Sequence, residues 1–167
     1  TPEFTPALRK LHSMAGGDDA QIVVLPTAAA DDGPGVPEQR AKIALDYFAK
    51  LDAAAEAAMV VNAESANDPK MVDKIRHATW IHLSGGQPPI LRSIMEGSAV
   101  WETILAEYEA GKLLVGSSAG AVILGEYAFA PRRPFPLPAV AKAREPVRFV
   151  GGQPIALNPG IHTSMLP

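Results

Sequence analysis

The sequence predicts a three-layer α/β fold: a mostly parallel sheet covered by helices on both faces. Three observations lead there. Short, continuously apolar runs such as Gln21–Leu25 and 79–83 alternate with longer stretches whose apolar residues recur at helical spacing. Strands that are apolar along their length are those buried on both faces, the condition of a parallel sheet between helical layers. At 113–120 an apolar run passes straight into a helical one through Gly116-Ser117-Ser118-Ala119-Gly120, the G-x-S-x-G turn that lifts a serine above a sheet edge. The 167 residues suit a single domain, 1–167, able to bury about 70% of its unfolded surface.

The elements follow in order. Thr5 can cap a helix that opens at Pro6, turns Leu8, Leu11 and Met14 inward and stops at Gly16-Gly17. Gln21–Leu25 is a strand, and a Gly/Pro-rich loop follows Pro26-Thr27. A helix from about Glu38 carries Ile43, Tyr47, Phe48 and Leu51 on one stripe, and 58–61 reads as the next strand. Asn67-Asp68-Pro69 starts a short helix, with Asp68 as its cap and Pro69 in its first turn. The strand 79–83 ends in Ser84-Gly85-Gly86, and Pro88–Met95 is a helix closed by Gly97. A further helix over 100–109 ends at Gly111 and delivers the chain into the strand before Ser118.

In a parallel sheet, ligands bind beyond the carboxyl ends of the strands. Three loops leave from that edge: Pro26-Thr27-Ala28, Ser84-Gly85-Gly86-Gln87 and Ser117-Ser118-Ala119. A serine on so tight a turn needs small neighbours two residues away on either side, which Gly116 and Gly120 supply. Ser118 is then the candidate nucleophile, and the Ala119 N–H at the helix start is a candidate oxyanion donor. The paired glycines Gly85-Gly86 let backbone approach a substrate, making the Gly86 N–H the candidate second donor. The plain alternatives are a small-residue crossing in which Ser118 only caps the helix and an ordinary turn at Gly85-Gly86.

A serine hydroxyl needs a base. His12 and His77 read as surface residues and His82 as a partly buried strand residue, so His162, the only histidine after Ser118, is the candidate. The acid that orients it would be Glu126 or Glu145, since no aspartate follows Ser118, and Glu126 on the helix after the turn is preferred. A proline-rich basic loop at 128–146 includes Arg132 and Arg133, which would suit an acidic substrate if the loop covers the site.

Other chemistries lack residues. The 15 basic and 18 acidic residues give a net charge of −3 with no long run of either sign, which disfavours nucleic acid. Without cysteine there is no disulfide framework and no thiolate nucleophile or ligand. The histidines are scattered and the glycine pairs match no phosphate or dinucleotide loop, so neither a metal nor another cofactor is expected. No apolar run approaches the length of a membrane span, and Thr1-Pro2-Glu3-Phe4 does not resemble a secretory signal, so a cytoplasmic protein is the default expectation.

The segment 15–28, then Ala66-Asn67-Asp68-Pro69, Leu83-Ser84-Gly85-Gly86-Gln87 and Gly116-Ser117-Ser118-Ala119-Gly120-Ala121 together resemble the dipeptidase E and cyanophycinase family of serine peptidases. The likeness covers most of 14–127 in order and spacing. It implies a class I glutamine amidotransferase-like fold with serine in place of the nucleophilic cysteine. It also implies hydrolysis of a peptide bond next to aspartate through an acyl-enzyme on Ser118, with Gly86 and Ala119 holding the oxyanion. Gln87 resembles the glutamine with which cyanophycinases contact substrate, although its spacing is one residue shorter. Family chains usually open with a strand and a glycine-rich turn that are not found here, so truncation at both ends is an expectation. The family's histidine commonly follows a Pro-Gly, a short strand and a pair such as Leu-Pro. Here Pro159-Gly160 leads to Met165-Leu166-Pro167, so the base is either His162 or a residue beyond the last one. The expected partner is a small acidic peptide substrate, with a homodimer left open. The alternative is a catalytically silent relative or fragment that binds a ligand or partner.

Overall fold

The computed structural model describes residues 6–50 and 52–124, with the backbone of 147–149 and 153–155. Helix α1 (Pro6–Met14) precedes strand β1 (Gln21–Leu25), helix α2 (Val36–Ala49) and strand β2 (Ala54–Ala57). Helix α3 (Pro69–His77), strand β3 (Trp80–Leu83), helices α4 (Pro88–Met95) and α5 (Ala99–Glu109), strand β4 (Leu113–Gly116) and helix α6 (Ala119–Ile123) follow. Strands β5 (Val147–Phe149) and β6 (Gln153–Ile155) form a separate antiparallel pair. The main sheet is parallel and has the order β2-β1-β3-β4.

Alternation along β1 and β3 creates two cores. Val23, Leu25, Ile81 and Leu83 point into one, where Val72 and Ile75 of α3, Leu91 of α4 and Ile104 of α5 cover them. Ile22, Val24 and Trp80 point into the other, against Phe48 of α2 and, at its margin, Leu8 and Leu11 of α1. The predicted three layers are therefore present, with α1 and α2 on one face and α3 to α6 on the other. Phe48 and Trp80 meet edge to face at 5.2 Å, a contact that typically adds about 1 kcal/mol to their burial.

Several elements differ from expectation. The strand read at 58–61 lies earlier, at Ala54–Ala57, in register with β1 from Gln21↔Ala54 to Val24↔Ala57. Partner pairing outweighs the weak β propensity of Ala-Ala-Glu-Ala. The apolar Ala58 and Val60 are buried in the loop that follows, closed by Ser65 Oγ accepting from the Val61 and Asn62 N–H groups. Helix α2 starts at Val36, two residues early, after Gly35 at φ 76°. Its inward stripe is Ala41, Leu45 and Phe48, leaving Ile43 57% exposed, and Met14 of α1 is 60% exposed. Both residues fit a helical period, but the buried face is rotated away from them. Thr5 and Leu51 lie outside the described residues.

The Asn67-Asp68-Pro69 motif has a structural account. Asp68 Oδ1 accepts from the Lys70 N–H at 2.8 Å and caps α3. Asn67 Nδ2 donates to the Ala63 carbonyl at 2.8 Å while its Oδ1 accepts from the Ala99 N–H at 3.0 Å, tying the starts of α3 and α5 together. Replacement Asn67→Ala should lower stability by about 1 kcal/mol. Asn67→Asp, which keeps the acceptor, should cost less, and urea unfolding midpoints of the two variants check the ranking.

Candidate functional site

Strand order decides where a crevice can form. The chain leaves β1 through α2 on one face and reaches β3 and β4 through α3, α4 and α5 on the other, so winding reverses between β1 and β3. A doubly wound sheet opens its binding crevice at that point, beyond the carboxyl ends of the two strands. The loops after β1, β3 and β4 leave from this edge.

Ser118 follows β4 with φ 50° and ψ −114°, a backbone region that costs a non-glycine residue on the order of 1–3 kcal/mol. Surrounding backbone imposes it. The Ser117 N–H donates to the Leu83 carbonyl at 3.0 Å, extending the β3–β4 pairing by one residue. The Gly120 N–H then donates to the Ser117 carbonyl and the Val122 N–H to the Ser118 carbonyl, each at 3.0 Å, starting α6 at once. A Cβ at Gly116 would stand 2.3 Å from the Gly120 carbonyl carbon, and one at Gly120 would stand 2.2 Å from the Leu83 oxygen. Neither position admits a side chain. Ser118 itself is exposed at the sheet edge.

The loop after β3 meets the same serine. A Cβ on Gly85 would stand 3.1 Å from Ser118 Cβ and 3.5 Å from Ser118 Oγ, so the bare Gly85 α-carbon lets the Ser118 side chain lie against it. Gly86, at φ 151°, lies so close to the loop after β1 that a Cβ there would be 2.3 Å from the Ala28 oxygen. The Gln87 N–H donates to that same carbonyl at 2.6 Å. All three edge loops therefore interlock through main chain. As the first residue of α6, Ala119 has an N–H that no intrahelical carbonyl can accept.

The family model of peptidase family S51 matches residues 1–133. The chain belongs to peptidase family S51. Among solved structures, this S51 chain is similar to a peptidase from an acI-B1 actinobacterium, at 25% identity and a TM-score of 0.66 over 77% of this chain. It is also similar to a protein of Listeria monocytogenes EGD-e named as a peptidase E, at 27% identity and a TM-score of 0.53 over 71% of this chain. The chain spans 55% of the length of each. None of the curated proteins matches it. The family and the α/β fold agree with what the motifs implied. No helix among the described residues is long and apolar enough to cross a membrane.

Of the residues singled out in the sequence, Ser118, Ala119, Gly86 and Gln87 come together at this edge. His162, Glu126, Arg132, Arg133 and the loop 128–146 lie outside the described residues. Gln87 has an unforeseen partner, for its Nε2 donates to Asp32 Oδ1 at 2.6 Å. The Thr27 and Ser84 hydroxyls at the ends of β1 and β3 were also missed; both are buried without a hydrogen-bond partner among the described residues. Their placement depends on the strands' register, which no local pattern encodes.

His82 is the partly buried strand residue expected, but its ring is not fully satisfied among the described residues. Its ring lies between Phe48, 5.6 Å away, and Trp80, 6.3 Å away. Nδ1 is enclosed without a partner among the described residues, while Nε2 lies 3.4 Å from Ser117 Oγ. Burial pushes the imidazole pKa from 6.5 down to about 4. Between those values the unfolded chain binds a proton that the folded chain refuses. Stability attributable to this ring is thus complete above pH 6.5 and declines as pH falls towards 4, by up to roughly 3 kcal/mol. His82→Phe cannot titrate, so the stability of the parent relative to this variant should fall by about that amount between pH 7 and 4. Urea unfolding of both proteins across that range measures it.

Proposed function

We propose that this S51 chain is the nucleophile-bearing part of a serine peptidase acting on small aspartyl peptides or β-aspartyl isopeptides. The observation that carries this reading is the exposed Ser118, held at φ 50° with its side chain against the bare Gly85 α-carbon. Ser118 Oγ attacks the scissile carbonyl carbon while the base, assigned to His162, takes the hydroxyl proton. Negative charge collects on the carbonyl oxygen, where the Gly86 and Ala119 N–H groups are the donors. One donor of this kind typically contributes about 3 kcal/mol to the transition state. Collapse breaks the C–N bond, the base's proton passes to the leaving amine, and water hydrolyses the resulting ester by the same route in reverse. Glu126 would orient the histidine, and Arg132 and Arg133 would attract the substrate carboxylate.

Gln87 suits a substrate contact. It follows the Gly85-Gly86 turn directly, and its side-chain amide is held to Asp32 of the loop after β1. The setting is taken to be cytoplasmic.

A fluorophosphonate probe should label the intact protein at Ser118, and Ser118→Ala should abolish labelling. The same replacement should lower hydrolysis of aspartyl dipeptides by on the order of a million-fold. An unlabelled Ser118 in folded protein would identify a catalytically silent relative instead. His162→Ala should remove turnover with folding preserved, and unchanged rates would exclude it as the base. Neutralising Arg132 and Arg133 together should raise KM for acidic substrates, read from initial rates.

A further inference from the structure

The face of the sheet that receives α1 and α2 is apolar at almost every inward position. Ile22 and Val24 of β1 and Trp80 of β3 occupy it, with Phe48 reaching in from α2. His82 stands among them, in register with Val24 on one side and Val115 on the other. An apolar side chain of similar size would fill this place without leaving Nδ1 enclosed and unpaired. The ring's polar contact is Ser117 Oγ, 3.4 Å from Nε2.

Ser117 is the residue through which β4 enters the strained turn. Its N–H and carbonyl are both engaged, by the Leu83 carbonyl and the Gly120 N–H, and its side chain is the remaining degree of freedom. The His82 ring, braced edge-on by Phe48 and tilted against Trp80, has little freedom to rotate. We propose that His82 is a positioning residue of the elbow, which through Nε2 and Ser117 Oγ fixes the turn in the rotation that aims Ser118 at substrate. The inference rests on the hydrolase reading above. An enclosed lone pair costs less than an enclosed N–H, so under this proposal the ring carries its proton on Nε2, directed at Ser117 Oγ 3.4 Å away. Ser118 is thereby held from two directions: by the glycine contacts on its helix side and by a side-chain tether on its strand side.

The experiment measures saturable labelling by a fluorophosphonate in the intact protein, with circular dichroism confirming folding. His82→Phe and Ser117→Ala should each lower the maximal labelling rate at least about ten-fold, as small misplacements of reacting groups do, with the half-saturating concentration nearly unchanged. The double variant should be no slower than the slower single, because both changes cut one tether. His82→Gln, which keeps a donor near the Nε2 position, should recover most of the rate. Nitrogen-15 NMR of the parent should show the Nε2-protonated tautomer, perturbed by Ser117→Ala. Labelling of both single variants at the parent rate, or strictly additive losses, would overturn the positioning role while leaving the hydrolase reading intact. Failure of the parent to label would overturn that reading and this one together. If His82→Phe does not fold, the exposed Ser117→Ala still decides the matter.

Discussion

The carbonyl of Leu83 at the end of β3 is the fixed point on which the site depends. It accepts the Ser117 N–H at 3.0 Å and also stands 2.2 Å from where a Gly120 Cβ would be. One oxygen thus sets both how far β4 runs and how closely α6 must cross back. The strained dihedrals of Ser118 follow from the two demands, since the chain must reverse between Gly116 and Gly120 without room for a side chain at either. Strain on the order of 1–3 kcal/mol persists only where the surroundings over-determine it, and here the surroundings are hydrogen-bonded main chain.

The same logic joins β1 to the site. Ala28 contributes no side-chain chemistry, yet its carbonyl accepts the Gln87 N–H and blocks any side chain at Gly86. The glycine-rich loop after β3 is therefore clamped between two backbones, that of Ala28 on one side and the Ser118 turn on the other. Such clamping gives preorganised donors their value, because donors already aligned need no reorganisation as charge develops. The buried Val23, Leu25, Ile81 and Leu83 keep β1 and β3 rigid beneath it.

Much of this was legible in the sequence because it depends on short-range constraints. The G-x-S-x-G turn, the paired glycines and the Asp68 cap all act within a few residues, and each lies where the pattern puts it. The strand at 58–61 was misplaced because an apolar run reports burial, and Ala58 and Val60 are buried in a loop. Met14 and Ile43 were misread because helical periodicity fixes spacing but leaves the orientation of the stripe to tertiary contacts. The Gln87–Asp32 and His82–Ser117 contacts join residues 55 and 35 positions apart. Only the order of strands brings them together, and a single sequence carries no local signal of it.

The placement of the described histidines bears on which residue serves as base. His77 ends α3, just ahead of the amino end of β3, so it lies at the edge of the sheet opposite Ser118, separated by a strand some 13 Å long. His12 is in the last turn of α1, which leads towards the amino end of β1 and the same wrong edge. His82 is at the right end of a strand, but its pKa of about 4 makes it a poor proton acceptor at neutral pH, and its Nε2 meets Ser117 rather than open crevice. None of the described histidines therefore suits Ser118 as a base. The proposal of His162 as base agrees with that, and under it the parallel sheet would carry the nucleophile and the oxyanion donors while a later segment would carry the group that takes the proton.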